Sequence, residues 1–137
     1  MRIGLVDGSV AAKQPTLARL PMTQRPFAPG GARVTAHATA VASLLSGSGD
    51  GFHGAAPGAA LFVADVYGPT PAGGSATAVA AGLGWLAQIR TPVINISLVG
   101  PPNALLEAAV AALVARGHLL VAAVGNDGPG AAPLYPA

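Results

Sequence analysis

Apolar positions along the 137-residue chain fall into short unbroken runs, separated by segments with a helical period and by turn residues. Arg2-Ile3-Gly4-Leu5-Val6 runs into Asp7-Gly8-Ser9, which predicts a buried strand carrying an aspartate at its C-terminal end. Ala60 to Tyr67, Val93 to Leu98 and Leu119 to Val124 predict three further strands. Runs that are apolar on both faces are the mark of parallel sheets. Between them, the small apolar stretch from His37 to Ser46 predicts a helix that stops at Gly47. Ser75 is placed to cap a helix whose Val79, Leu83 and Leu86 form one buried stripe, with Trp85 off the stripe as a packing or rim residue. Thr91-Pro92 breaks that helix. Asn103 caps another with Leu106, Val110 and Leu113 on one face, Glu107 in its first turn and Arg116-Gly117 at its end. Residues 11 to 33, with Pro15, Pro21, Pro26, Pro29 and Gly30-Gly31, read as mostly loop with room for one short strand. No internal repeat is visible. The alternation of strand and helix implies right-handed crossovers and an α/β fold, a parallel sheet with helices on both faces, in one domain over residues 1–137.

Composition sharpens this. Charged residues make up 9% of the chain against roughly 25% in a typical globular domain, with 52% hydrophobic residues and a mean hydropathy of +0.56. Such a surface needs lipid or further polypeptide over it. Lipid is disfavoured, because the best apolar runs, Ala104 to Ala115 and Leu119 to Val124, are short or carry Glu107. The N-terminal apolar stretch is too short for a signal peptide and ends in an acid. The expected cover is therefore a missing C-terminal half of the domain, or self-association through the apolar surface. The net charge of +2 rests on basic residues scattered among Pro and Ala with few aromatics, which argues against a nucleic-acid groove. Without cysteine there is no disulfide framework or thiolate metal site.

In a parallel sheet the C-terminal strand ends share one edge, so Asp7, Ser97 and Asn126 converge where the His37 helix begins. A carboxylate there can hold an imidazole in the tautomer whose other nitrogen accepts a proton, and a side-chain amide can donate to an oxyanion. The glycine spacing of Gly47 to Gly54 resembles a phosphate loop, but the segment follows a helix instead of a strand, and no nucleotide is expected. Asp50 and His53 in that loop are two potential metal ligands, read as solvated residues.

These residues carry a family resemblance. Ile3-Gly4-Leu5-Val6-Asp7-Gly8-Ser9 resembles the aspartate motif of the subtilisin-like serine peptidases, the subtilases, although Gly8-Ser9 reverses the family's more usual order of a hydroxyl residue and then Gly. His37-Ala38-Thr39-Ala40-Val41-Ala42 resembles the histidine motif His-Gly-Thr-x-Val-Ala, with Ala38 in place of its Gly. Gly54 to Ala59 resembles the Gly-x-Ala-Pro turn, Val93 to Leu98 the substrate-lining strand, and Val121 to Gly128 the oxyanion-asparagine motif. The separations, 30 residues from Asp7 to His37 and 89 from His37 to Asn126, are similar to the family's.

The resemblance implies the N-terminal portion of a subtilisin-like, Rossmann-like three-layer catalytic domain, incomplete in this chain, and a serine endopeptidase acting on polypeptides. Subtilisin itself is the standard case of the chain order Asp, His, Ser and of an oxyanion asparagine. By resemblance Asp7 orients His37, His37 is general base and then acid, and Asn126 binds the oxyanion. Substrate would add as a strand between Ser97-Leu98-Val99 and the loop near Ala72-Gly73-Gly74. Val99 stands where the family commonly has Gly, and should reshape the pocket for the residue before the scissile bond. No cofactor is implied, and the family's calcium-binding carboxylates are not recognisable, so no metal is expected. Family habit implies a secreted or periplasmic whole protein.

The nucleophile of the family lies in a later Gly-Thr-Ser-x-Ala-x-Pro motif. Only 11 residues follow Asn126, none of them Ser or Thr, and Ser9, Ser43, Ser46 and Ser97 are not placed to attack. The chain alone is therefore expected to be inactive. Two other classes remain open. A pseudoenzyme or peptide-binding domain would keep the cleft without catalysis. A Rossmann-like small-molecule binder would need a Gly-rich turn directly after Val6, where Asp7-Gly8-Ser9 stands instead.

Overall fold

The apolar run after Arg2 becomes the centre of the molecule. In the computed structural model, which describes residues 1–49, 51–69 and 74–137, the elements in chain order are strand β1 (Arg2–Asp7), strand β2 (Met22–Pro26), helix α1 (Ala36–Ser46), two short strands β3 (Ser48–Gly49) and β4 (Phe52–His53), strand β5 (Ala60–Asp65), helix α2 (Ala76–Gln88), strand β6 (Val93–Ile96), helix α3 (Ala104–Ala115) and strand β7 (Leu119–Ala122). Five strands form one sheet of order β2-β5-β1-β6-β7, and every neighbouring pair is parallel. From β1 the chain goes to the edge strand β2, returns inward to β5 beside β1, and then crosses to β6 and β7 on the other side, which opens a crevice at the C-terminal end of β1.

Helices cover both faces, as the strand pattern predicts. On one, Leu5, Leu61 and Val63 pack with Ala38 and Ala42 of α1 and with Leu17. On the other, Val6, Ala64, Ile94 and Ile96 pack with Val79, Leu83 and Leu86 of α2 and Leu113 of α3. Each fully buried Leu, Ile or Val contributes about 1.5–3 kcal/mol, and these two clusters are the core. The predicted caps form: the Ser75 hydroxyl accepts from Ala78 N at 3.1 Å, and the Asn103 amide oxygen from Leu105 N at 3.0 Å and Leu106 N at 3.2 Å. Gly4 is small because α2 presses on β1. A Cβ there would stand 3.0 Å from Leu86 Cδ1.

The strands stop about two residues before their apolar runs do, at Asp65, Ile96 and Ala122. The chain leaves the ladder there after last bonds from Val66 N to Asp7 O, Ser97 N to Val6 O and Ala123 N to Ile96 O. The residues beyond turn outward along the crevice. Strand β2, foreseen only as a short strand within a loop, pairs along β5 at the sheet edge, where Pro26 is tolerated at its end. Its Gln24 amide is tied to both backbone groups of Val10, at 2.7 and 3.0 Å. The Gly-rich loop expected after α1 contains a small antiparallel pair, Ser48 opposite His53 and Gly49 opposite Phe52. Asp50 lies outside the described residues.

Cover is uneven. Leu120 and Ala122 of β7 face the cluster under α2 and α3, so the alternating Leu119 and Val121 point to the face of α1. That helix lies over the β5 side of the sheet, and Leu119 and Val121 stay 61% and 50% exposed. This locates the apolar surface that the composition demands. Among the described residues no helix is long and apolar enough to cross a membrane.

Candidate active site

Asp7 is the last residue of β1, with neighbours β5 and β6 on either side, and is only 1% exposed. One carboxylate oxygen, Oδ1, accepts from Gly8 N at 2.7 Å. The other, Oδ2, lies 2.7 Å from Nδ1 of His37, whose side chain is 60% exposed. That imidazole is the one partner of Oδ2 among the described residues. Burial is the largest influence on Asp7 and raises its carboxyl above the ordinary 3.8; the Gly8 N–H and the His37 ring pull it down, and the neighbouring Asp65 carboxylate pushes it up.

The approach of His37 is set locally. Thr35 caps α1, its hydroxyl accepting from Ala38 N at 3.0 Å, and His37 follows two residues after the cap with its ring free of the helix body. The residues before the cap run beside the turn after β1, with Ser9 N bonded to Arg33 O at 2.8 Å and Thr35 N to Ser9 O at 3.0 Å. This explains the reversed Gly8-Ser9 order. A Cβ at residue 8 would lie 2.7 Å from Thr35 Cγ2 and 3.1 Å from Arg33 O, so only Gly fits under the cap. The hydroxyl has moved one residue on, where Ser9 Oγ donates to Asp65 Oδ2 at 2.6 Å. Ala38, in place of the motif's Gly, is fully buried against the sheet.

His37, Ser97, Leu98, Val99 and Asn126 line one open cleft of about 380 Å³, with Ala123, Val124 and Gly125. Ser97 Oγ is engaged by the Asn95 side-chain amide. Leu98 and Val99 leave the ladder beyond β6, and their backbone groups have no partner among the described residues. Val99 is exposed in the cleft. Asn126 stands exposed on the rim after Gly125, whose positive φ of 90° turns the chain there. Gly73 lies outside the described residues. A larger hollow of about 650 Å³ between Pro15–Arg19 and the β3–β4 pair is lined by none of these residues.

Two features of the site had little signal in the sequence. The tail returns to the cleft: Gly100 and Tyr135 exchange both backbone bonds at 2.9 Å, and the Leu134 side chain fills the space beside Gly125. Asp65, fully buried, is the register partner of Asp7 on the next strand. The one available cue for it was an apolar run ending in an acid, as β1 does.

The sequence profile of the Subtilase family matches residues 28–137. Subtilisin Savinase of Lederbergia lenta is 40% identical over 104 residues, which cover 74% of this chain and 38% of that protein. M-protease of Shouchella clausii (strain KSM-K16) is also 40% identical over 104 residues, covering 74% of this chain and 27% of its own length. The chain thus spans well under half of these curated relatives. Among solved structures, a variant of the protease domain of PatA superposes with a TM-score of 0.82 at 28% identity, covering 93% of this chain and 50% of that one. The psychrophilic subtilisin-like protease Apa1 from Pseudoalteromonas sp. AS-11 has the same fold, with a TM-score of 0.82 at 23% identity over 98% of this chain and 33% of its own. By profile, by identity and by the arrangement of its sheet, this chain belongs to the subtilase family.

Proposed function

We propose that the chain supplies the aspartate, histidine and oxyanion asparagine of a serine endopeptidase, and that hydrolysis requires a nucleophilic serine on further polypeptide. The observation that carries the reading is the 2.7 Å contact between a buried carboxylate and an exposed imidazole at the mouth of a cleft shared with Asn126. Because Nδ1 faces a carboxylate that only accepts, it holds the proton, and Nε2 is left as the base. His37 Nε2 would take the hydroxyl proton as the serine oxygen bonds to the peptide carbon. The carbonyl oxygen becomes an oxyanion, to which the Asn126 amide donates. Collapse breaks the C–N bond, with the His37 proton passing to the leaving amine. Water, deprotonated by the same ring, then releases the acyl group.

The serines of residues 1–137 are occupied or placed elsewhere: Ser9 on Asp65, Ser43 on Thr39 O, Ser75 at a helix cap and Ser97 with Asn95, while Ser46 is fully buried and Ser48 lies on β3 at a hollow that His37 does not line. The α1-side face of β6–β7, where Leu119 and Val121 stay exposed, offers a nucleophile-bearing segment a place to pack. The unpaired backbone of Leu98 and Val99 favours a polypeptide substrate bound as an added strand. The same backbone would serve a peptide-binding domain without catalysis, the second reading.

Asn126→Ala separates the two. In the protein joined to its nucleophile segment, kcat is expected to fall about 10²–10³-fold with KM nearly unchanged, the size known for the corresponding subtilisin asparagine. Steady-state kinetics on a peptide substrate measures this, and peptide binding with no turnover before any substitution would favour the binding domain.

A further inference from the structure

The geometry points to Asp65 as a positioning residue for the Asp7–His37 pair: one buried carboxylate grips both the turn that follows Asp7 and the segment that leads into the His37 helix. This rests on reading Asp7 and His37 as an acid–imidazole pair. Asp65 Oδ2 accepts from Ser9 Oγ at 2.6 Å and from Arg33 N at 2.6 Å, and Oδ1 from Tyr67 N at 3.2 Å. Ser9 comes two residues after Asp7, and Arg33 four before His37. Neither belongs to a strand or helix, and the isolated bridge between Ser9 and Val34 is all the ladder they share. The short bonds to Asp65 therefore hold together the two pieces of chain whose separation sets the contact between Asp7 Oδ2 and His37 Nδ1.

A fully buried carboxylate is a costly fastener, and an apolar residue at position 65 would fill the strand end without it. What a carboxylate adds is acceptor capacity. One oxygen takes two converging donors from different segments while the other takes Tyr67 N, a set that an amide, with a single accepting oxygen, cannot complete. Its charge also lies beside that of Asp7, since the two residues pair across strands about 4.8 Å apart. The groups facing Asp7 are thus His37 from α1, Asp65 from β5 and, just beyond that strand, Tyr67, whose phenol is pushed up mainly by burial and in part by Asp7.

The test reads the tautomer of His37 by ¹⁵N magnetic resonance of the histidine-labelled chain at alkaline pH, where the ring is neutral. His118 is the internal standard, because its Nδ1 faces Thr91 O at 2.7 Å and must donate. Wild-type His37 is expected as Nδ1–H. Asp7→Asn should invert it to Nε2–H, because the amide oxygen is claimed by Gly8 N and the NH₂ then faces the ring. Asp65→Asn should lower the Nδ1–H to Nε2–H ratio about five-fold, the effect of losing roughly one hydrogen bond. Ser9→Ala should shift it less in the same direction, and decides the matter alone where Asp65→Asn does not fold. A wild-type ratio in folded Asp65→Asn and Ser9→Ala, with Asp7→Asn inverted, overturns the role of Asp65 alone. An Asp7→Asn chain with an unchanged ratio overturns the acid–imidazole pair itself.

Discussion

His37→Ala, in the protein joined to its nucleophile segment, is expected to lower kcat about 10⁶-fold while leaving KM within a few-fold of wild type. The magnitude is that found when the general base of subtilisin is removed, not one obtained from this structure. The direction follows from the geometry. His37 is exposed at the cleft and belongs to neither core cluster, so its loss leaves Asp7 Oδ2 without its imidazole partner, at some cost in stability, but leaves the packing of the sheet in place. It does remove the group that moves the proton both on attack and on departure of the amine. The cleft walls at Leu98 and Val99 are untouched, so substrate should still bind. Single-turnover and steady-state kinetics on one peptide substrate measure the effect, and a loss below about 100-fold would assign the proton transfers to another residue.

Asp7→Asn is expected to lower kcat about 10⁴-fold, the scale known for this substitution in serine peptidases, because the amide selects the wrong imidazole tautomer. The same change should stabilise the fold at neutral pH. Asp7 is buried, and its carboxyl is held above 3.8 chiefly by desolvation, so the folded chain binds this proton more tightly than the unfolded chain does. With a raised acid, stability falls as pH climbs from about 3.8 through the folded value, and it stays lower above it. At neutral pH the ionised carboxylate is a net cost to folding, offset in part by Gly8 N–H and His37. Asn keeps the shape and the Gly8 bond and removes the charge. Urea unfolding of the chain should give a higher midpoint for Asp7→Asn at neutral pH and nearly equal midpoints in acid. A lower midpoint at neutral pH would mean that the ion pair with His37 outweighs desolvation. Activity and stability are thus opposed at this residue, as is common where a charge is held for chemistry.

Much of this was legible because the buried strands of a parallel sheet cannot hide. Ile3 to Val6 and Leu61 to Ala64 are apolar on both faces, Val93 to Ile96 is broken only by Asn95, and Ser75 and Asn103 are caps whose helical stripes follow at once. Asp7 and His37 stand out as candidates because one ends β1 and the other lies in the first turn of α1, whereas Asn126, four residues beyond β7, stands out through its resemblance to the oxyanion-asparagine motif. What stayed hidden depends on contacts distant in sequence. Strand β2 is a polar edge with one partner, and Thr23, Gln24 and Arg25 show no apolar alternation to betray it. The clamp of Ser9, Arg33 and Asp65 joins three segments through one carboxylate, and the reversed Gly8-Ser9 pair reads as a departure until Thr35 is seen above Gly8. The return of Tyr135 to Gly100 has no periodicity at all.

The proposed role of residues 1–137 is to hold the proton-transfer and oxyanion groups of a serine peptidase whose nucleophile lies on further polypeptide. A serine-directed fluorophosphonate, with the adduct located by mass spectrometry, tests it most directly. The chain alone should remain unlabelled. The protein carrying its nucleophile segment should be labelled at one serine outside residues 1–137, and His37→Ala should abolish that adduct. An adduct on Ser9, Ser43, Ser46, Ser48, Ser75 or Ser97 of the chain alone would contradict the account.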